Sequence, residues 1–251
     1  MDRKIRVGAV SYLNTKPLLY GIQRSSVLED LELIVDYPSR IADQLLRDEI
    51  DMGLVPVAVI PQMTEFYVNG DYCIGSNGAV ASVCLFSETP IEAVETVLLD
   101  YQSRTSVQLA RILLEKYWKV SPVLVDAGKD YRDHIQGTTA AVVIGDRALE
   151  QRRISRYVYD LGECWKSMTG LPFVFAAWIS NKRLPASFVE RFNLANKAGL
   201  EHLDEVIAEN PYPIFDLHEY FTRYLDYHLD DLKRKGLEKF LRYLGVNANT
   251  W

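Results

Sequence analysis

The chain lacks most of the motifs on which common catalytic sites depend. Its four histidines are scattered, and neither an H-x-x-x-H pair nor a paired His/Cys spacing occurs, which argues against a metal site. G-x-G-x-x-G, Walker and G-x-S-x-G motifs are missing as well, so the usual nucleotide-binding and serine-hydrolase signatures are not present. We therefore predict a site that uses neither a metal nor another cofactor.

Long apolar runs and paired cysteines are also missing. No window approaches the ~18 apolar residues of a membrane span, and no signal-peptide core follows Met1. Cys73, Cys84 and Cys164 are odd in number and form no C-x-x-C pair, which is typical of free thiols in a reducing compartment. These features predict a cytoplasmic protein without a membrane partner.

Basic residues are fewer than acidic ones. The formal net charge is −6 and the isoelectric point about 5.3, so a nucleic-acid partner is not expected. With 48% hydrophobic and 25% charged residues, the composition is that of a globular protein. The length of 251 residues suits one large domain or two smaller ones. A monomer and a homodimer both remain open.

Strand-like and helix-like segments alternate along the chain as far as residue 144. Strands are predicted at 5–10, 31–37, 51–55, 96–99, 123–125 and 140–144. Helices are predicted at 17–23, after Pro38 and at 106–118, and the chain after residue 185 is predicted to be helical with its apolar stripes packed in the core. Such alternation predicts an α/β fold with a mainly parallel sheet covered by helices.

Two further apolar segments, at 79–86 and 173–179, bracket the second alternating block. We interpret them as paired strands that cross between two lobes, one formed by 1–87 plus 178–251 and the other by 88–177. Two α/β lobes joined by two hinge-crossing strands describe the type II periplasmic-binding-protein-like fold, which has a central cleft. Closure of the lobes over a small anion would exclude water from that cleft.

The first candidate site follows the strand at 5–10. The chain breaks there into small polar residues, and Pro17 is placed to begin a helix. Backbone N–H groups, the Ser11 hydroxyl and the Asn14 amide then face the carboxyl end of a strand, where ligands bind in open α/β sheets. A helix start at this position suits a carboxylate or phosphate. An ordinary strand-to-helix connection is the structural alternative.

A second group of candidates precedes the predicted helix at 106–118. Ser103, Thr105 and Ser106 either cap that helix or bind an anion. Arg104 adds a permanent positive charge, and its guanidinium group can bind a carboxylate through two hydrogen bonds. Ser82 lies among small residues in the first crossover segment, where it would direct a hydroxyl into the cleft or simply pack at a crowded strand.

The last two candidates border the second lobe. Asp146 follows a strand and either caps the next helix, the commoner role, or lies at the rim of the cleft. Phe173 begins the return crossover and is expected to offer an apolar wall to a planar ring.

Six separated blocks of the sequence are similar, in order, to the menaquinone-biosynthesis chorismate dehydratase family. They span residues 7 to 176, and the first and last are the most specific. The blocks are V-G-A-V-S-Y-L-N-T-K-P-L, D-M-G-L-V-P-V-A, G-A-V-A-S-V, S-R-T-S, I-G-D-x-A-L and T-G-L-P-F-V-F-A.

This resemblance implies a hydro-lyase, a carbon–oxygen lyase that removes water from chorismate to give 3-[(1-carboxyvinyl)oxy]benzoate on the futalosine route to menaquinone. Asn14 and Ser82 match the family's polar cleft positions, and we expect them to be catalytic, orienting the enolpyruvyl carboxylate and assisting the departing hydroxyl. Because the motifs offer no well-placed His or Glu, we expect that carboxylate itself to take the ring proton. Thr105 and Ser106 are expected to hold the ring carboxylate. The other expected substrate-binding residues are Ser11, Tyr12, Ser103, Arg104, Asp146 and Phe173.

Two alternatives remain beside this interpretation. A non-catalytic small-anion-binding protein shares the fold, and fold alone does not separate the two functions. The missing signal peptide disfavours a secreted receptor. The related naphthoate-forming enzyme of the same pathway relies on a histidine, and none of the cleft motifs contains one.

Overall fold

The computed structural model describes residues 3–246, which form two mixed β-sheets with associated helices. The strands are β1 (Ile5–Val10), β2 (Leu31–Asp36), β3 (Met52–Pro56), β4 (Tyr67–Ser76), β5 (Val83–Ser87), β6 (Thr96–Leu99), β7 (Val123–Asp126), β8 (Thr139–Ile144), β9 (Tyr157–Asp160), β10 (Phe173–Ser180) and β11 (Asp226–His228). The α-helices are α1 (Lys16–Gln23), α2 (Pro38–Leu46), α3 (Thr105–Ile112), α4 (Asp146–Gln151), α5 (Leu161–Thr169), α6 (Ala186–Glu201), α7 (Leu203–Glu209), α8 (Leu217–Glu219) and α9 (Asp231–Tyr243). Short 3-10 helices lie at Leu13–Thr15, Ser26–Glu29, Val57–Gln62, Ile91–Ala93 and Tyr131–His134, and π-helical segments at Leu113–Trp118 and Tyr220–Tyr224.

The first sheet has the strand order β11-β4-β10-β3-β1-β2. Its strand β1 pairs in parallel with β2 and β3, whereas β10 runs antiparallel to β3 and β4. Every residue of β3 is buried, as expected for a short apolar strand that is covered on both faces.

The second sheet has the order β7-β6-β8-β5-β9. Strand β6 is parallel to β7 and β8, and β5 is antiparallel to β8 and β9. All of β5 is buried, while the edge strand β7 leaves Val123 and Val125 exposed. Both sheets are therefore mixed, rather than the mainly parallel sheet that the alternation predicted.

The segment 79–86 is not one continuous strand, and it does not pair with 173–179. Strand β5 begins only at Val83 and pairs within the second sheet, whereas β10 pairs within the first. The reason lies at Ala81, whose φ of +61° is left-handed and interrupts the extended chain. The backbone N–H groups of Val80 and Ala81 bind the carboxylate of Asp160 instead of a neighbouring strand.

The chain thus crosses to the second sheet between β4 and β5 and returns between α5 and β10. Most of 88–177 lies with the second sheet, but Val83–Ser87 also belongs to that sheet, and Phe173–Ser180 belongs to the first. The lobe boundaries themselves stay a prediction.

Helix α1 is fixed by close packing against α6. A Cβ atom on Gly21 would lie 1.9 Å from the carbonyl oxygen of Ala195, and one on Gly199 would lie 1.9 Å from that of Pro17. The two backbones therefore touch, which only glycine permits at these positions. Since α1 follows the loop after β1, this contact fixes one side of the candidate site.

The cysteines are free thiols, as predicted. Cys73 and Cys84 are buried, whereas Cys164 is partly exposed. Within residues 3–246, no helix has the length and apolar character needed to cross a membrane.

Candidate functional site

A cavity lies between the two sheets, against the carboxyl ends of β1, β3 and β8. Its polar lining residues are Tyr12, Asn14, Thr15, Gln102, Ser103, Thr105 and Ser106. The apolar part of the wall includes Leu54, Ile74, Ile144 and Phe175. None of the described residues that line the cavity has a charged side chain. An anion in this cavity would therefore be bound by hydroxyls, amides and backbone N–H groups.

The loop after β1 contributes Asn14 through a short 3-10 helix. The Asn14 Oδ1 atom accepts a hydrogen bond from Thr15 Oγ1 at 3.1 Å, and the Asn14 carbonyl accepts one from Tyr227 Oη at 2.8 Å. No hydrogen bond from Asn14 Nδ2 is found among residues 3–246. The N–H donors of the amide are therefore available at the cavity wall.

Tyr12 spans the cavity from the same loop. Its hydroxyl donates to Gln102 Oε1 in the loop after β6. The ring packs on Gly145, where φ is +64° and a Cβ would lie 3.3 Å from the ring atoms. Burial raises the pKa of Tyr12 above its ordinary value, against the opposing effect of the Arg147 charge, so this hydroxyl stays protonated.

Asp100 organises the loops at the end of the second sheet. Its buried carboxylate accepts hydrogen bonds from Tyr131 Oη at 2.7 Å and from the backbone N–H of Gln102 at 2.9 Å. It also forms an ion pair with Arg147 at 2.9 Å, and Arg147 donates in turn to Gln102 Oε1 at 2.8 Å. Arg147 thus holds the Gln102 side chain in place. The sequence patterns did not identify Gln102 as a site residue.

The start of α3 faces the cavity, and two hydroxyls there accept backbone N–H groups. Ser103 Oγ accepts the backbone N–H of Ser106 at 3.1 Å, in the first turn of the helix. Thr105 Oγ1 accepts the backbone N–H of Ala58, from the first sheet's side, at 3.2 Å. Because Thr105 only accepts in that contact, its own proton is available to a ligand.

The two charged residues among the predicted site residues join the two sides of the cavity without lining it. Arg104 forms an ion pair with Asp43 of α2 at 2.6 Å, and its Nη1 atom is buried without a hydrogen-bond partner among residues 3–246. Asp146 Oδ1 accepts the backbone N–H of Leu13 at 3.2 Å. Burial raises the pKa of Asp146, although the Leu13 N–H acts in the opposite direction.

Three other predicted residues lie outside the lining. Ser11 is exposed, and Ser82 is 1% exposed behind Val83, with its Oγ accepting a hydrogen bond from Tyr220 at 2.7 Å. Phe173 is packed in the core. Its ring centroid lies 5.1 Å from that of Trp165 and 5.0 Å from that of Phe240. The aromatic wall of the cavity comes from Phe175, two residues further along β10.

The structure therefore brings together five of the ten predicted site residues in the cavity wall. They are Tyr12, Asn14, Ser103, Thr105 and Ser106. Sequence reasoning missed Thr15 and Phe175, which lie inside the similar blocks, and Gln102, which directly precedes one of them. Among residues 3–246, no group of three or more His, Cys, Asp or Glu side chains is arranged to hold a metal ion.

Solved structures share the fold of this chain. A protein of Archaeoglobus fulgidus superposes with a TM-score of 0.76 at 14% identity, covering 96% of this chain and 97% of that one. A Candida albicans protein, described as having the generic periplasmic-binding-protein fold, gives a TM-score of 0.63 at 15% identity, with coverage of 100% and 92%. The predicted periplasmic-binding-protein-like α/β fold is therefore confirmed.

Sequence comparison places the chain within one family of that fold. The family model described as menaquinone biosynthesis matches residues 5–245, so the chain belongs to the menaquinone-biosynthesis family. The chorismate dehydratase of Thermus thermophilus is 26% identical over 270 aligned residues, which cover 96% of this chain and 95% of that protein. The family resemblance inferred from the six sequence blocks is confirmed.

Proposed function

We propose that this protein is a chorismate dehydratase, which converts chorismate into 3-[(1-carboxyvinyl)oxy]benzoate and water on the futalosine route to menaquinone. Its membership of the menaquinone-biosynthesis family and its similarity to the Thermus thermophilus enzyme support the assignment. The observation that carries it is the cavity between the sheets, whose wall combines hydroxyl and amide groups with an apolar surface. A cytoplasmic location and a monomeric or homodimeric state remain predictions.

The chemistry proposed for this cavity is an elimination that needs no oxidant or reductant. Chorismate loses its C4 hydroxyl and one ring proton, and the ring becomes aromatic. Aromatisation supplies the driving force, so the protein has to supply orientation and stabilisation of the charge that develops on the departing oxygen. Neutral donors that are fixed in place before the reaction serve that purpose.

The substrate's own enolpyruvyl carboxylate is the proposed proton acceptor. The described lining contains no histidine, aspartate or glutamate. The Asp146 carboxylate lies outside it and accepts a hydrogen bond from the Leu13 N–H. The Asn14 amide, with free donors in the wall, would orient that carboxylate. Thr105 and Ser106 at the start of α3 would hold the ring carboxylate.

Ser82 is proposed to assist the departing hydroxyl. Its side chain is buried and outside the lining, next in sequence to Val83, which lines the cavity together with Gly145. The backbone carbonyl of Ser82 accepts the N–H of Gly145 at 2.8 Å, which holds the two loops together. The proposed role requires the Ser82 proton to reach the substrate between these residues.

The direct test is to incubate the purified protein with chorismate and no added cofactor. The expected result is the appearance of 3-[(1-carboxyvinyl)oxy]benzoate by chromatography and mass spectrometry, in a protein-dependent manner. Saturable chorismate binding in calorimetry with no new product would instead support a non-catalytic anion-binding protein, the alternative that shares this fold.

A further inference from the structure

Three tyrosines of the C-terminal region hydrogen-bond to three separate loops around the cavity. The hydrogen bonds run from Tyr212 Oη to Asp146 O at 3.1 Å, from Tyr220 Oη to Ser82 Oγ at 2.7 Å and from Tyr227 Oη to Asn14 O at 2.8 Å. These loops come from both sheets. The C-terminal region carries no recognisable motif, yet its tyrosines reach the loops that hold Asn14, Ser82 and Asp146.

All three hydroxyls are donors at ordinary pH. Burial raises the pKa of Tyr220 and Tyr227 well above the usual tyrosine value and that of Tyr212 to about 12. Tyr220 is fully buried, with its ring centroid 5.6 Å from that of Phe221 and 6.0 Å from that of Phe215. The ring thus has a packing role that phenylalanine would preserve, and the hydroxyl has a separate one.

Tyr220 differs from the other two because it binds a side chain rather than a backbone carbonyl. Ser82 Oγ accepts the Tyr220 proton and must direct its own proton elsewhere. Among residues 3–246, the acceptor near that proton is Val80 O at 3.5 Å, which is long for an O–H···O hydrogen bond. Ser82 is therefore held by a strong donor while its own proton is weakly engaged.

We propose that Tyr220 is a positioning residue for Ser82, which fixes the Ser82 rotamer and directs the Ser82 proton toward the departing hydroxyl of the substrate. This inference rests on the proposed function. A donor to Oγ also polarises the Ser82 O–H bond, since hydrogen bonds in a chain strengthen one another. That effect increases as negative charge develops on the departing oxygen, so it belongs to the transition state rather than to binding.

The test is the Tyr220→Phe variant, measured for kcat and KM with chorismate. We expect kcat to fall about tenfold, the effect of losing one hydrogen bond in the transition state, with KM within about twofold of wild type. Tyr159→Phe is the matched control, because the Tyr159 hydroxyl accepts the Ile91 N–H at 2.8 Å, outside the cavity wall. That variant should keep the wild-type kcat.

A double-mutant cycle separates positioning from a general structural effect. If Tyr220 acts through Ser82, the Ser82→Ala/Tyr220→Phe double variant should have the same kcat as Ser82→Ala alone. A full further tenfold loss in the double variant would overturn the inference, as would wild-type kcat in Tyr220→Phe.

Two further measurements keep the result interpretable. If Tyr220→Phe fails to fold, 3-fluorotyrosine at position 220 retains the ring and provides a stronger donor, and we expect its kcat to equal or exceed that of wild type. A lower kcat would contradict the inference.

The failure of this inference and the failure of the proposed function give different results. A wild-type protein that makes no product rejects the proposed function itself, whereas an active wild type with an equally active Tyr220→Phe rejects only the role of Tyr220.

Discussion

The Asp160 carboxylate accepts the backbone N–H of Ala81 at 2.8 Å, across 79 residues of sequence. It also accepts the N–H of Val80 at 3.0 Å and, at the start of α5, those of Gly162 and Glu163 at 3.1 and 3.2 Å. One buried carboxylate therefore caps a helix and holds the left-handed segment through which the chain passes from the first sheet to the second.

We expect Asp160→Asn to destabilise the protein by about 2–3 kcal/mol, because an amide has one acceptor oxygen and leaves some of these buried N–H groups unsatisfied. Urea unfolding measures the loss. Asp216→Asn is the control, since the exposed Asp216 side chain caps α8 by accepting the Glu219 N–H at 2.9 Å, and it should cost about 1 kcal/mol or less. Equal losses in the two variants would show that the crossover contact adds no stability.

The Asn14 amide lines the cavity, and no hydrogen bond from its Nδ2 atom is found among residues 3–246. Asn14→Ala should lower kcat about 100-fold or more while changing KM by only a few fold, because a donor fixed for the transition state contributes little to ground-state binding. Steady-state kinetics with chorismate measure both constants. Asn210→Ala, which removes a hydrogen bond to Val206 O away from the cavity, should leave both unchanged. A rise in KM at constant kcat in Asn14→Ala would assign Asn14 to binding alone.

Local sequence patterns predict a strand correctly where its limits depend only on the residues of the strand itself. The apolar runs predicted β1 at Ile5–Val10 and β6 at Thr96–Leu99 with the bounds observed. The segments that follow these two strands supply all five predicted residues that line the cavity, because the carboxyl ends of parallel strands are where α/β folds place ligands.

The sequence predictions fail where the structure of a segment depends on residues that are far away in the chain. The segment at 79–86 is apolar enough to be a strand, but Asp160 binds its first N–H groups and Ala81 turns the chain. Phe173 and Phe175 lie two residues apart and are both buried, but Phe173 packs on Trp165 and Phe240, whereas Phe175 lines the cavity. No local pattern contains that information.

The contact between α1 and α6 is expected to be intolerant of even one methyl group. Gly21→Ala would place its Cβ 1.9 Å from the backbone oxygen of Ala195, so the helices must separate, and we expect a loss of about 2–3 kcal/mol. Thermal unfolding followed by circular dichroism measures it. Gly128→Ala is the matched control, because a Cβ there meets no atom within 4 Å. A Gly21→Ala variant as stable as the control would show that the two helices adjust without cost.

Asp51 gives the fold a predictable response to acid. Burial favours a higher pKa, but hydrogen bonds from Arg6 and Lys182 outweigh it and hold the pKa of Asp51 well below its usual range. The Arg6 backbone N–H donates to the carboxylate at 2.8 Å, and the Arg3 guanidinium forms an ion pair with it at 2.6 Å. The native state therefore binds fewer protons than the unfolded chain at pH values between the native pKa and about 3.9.

Because of this difference, the stability from Asp51 is complete above the unfolded pKa and is lost as the pH falls toward the native one. Compared with wild type, Asp51→Asn should be less stable at pH 7 by about 2 kcal/mol. This value allows for solvent screening, because the basic partners of Asp51 are partly exposed. At pH 3 the difference should be smaller. Urea unfolding of both proteins at the two pH values measures this change. A difference that is the same at both would mean that Asp51 acts through its shape and uncharged hydrogen bonds, and that its ionisation adds nothing to stability.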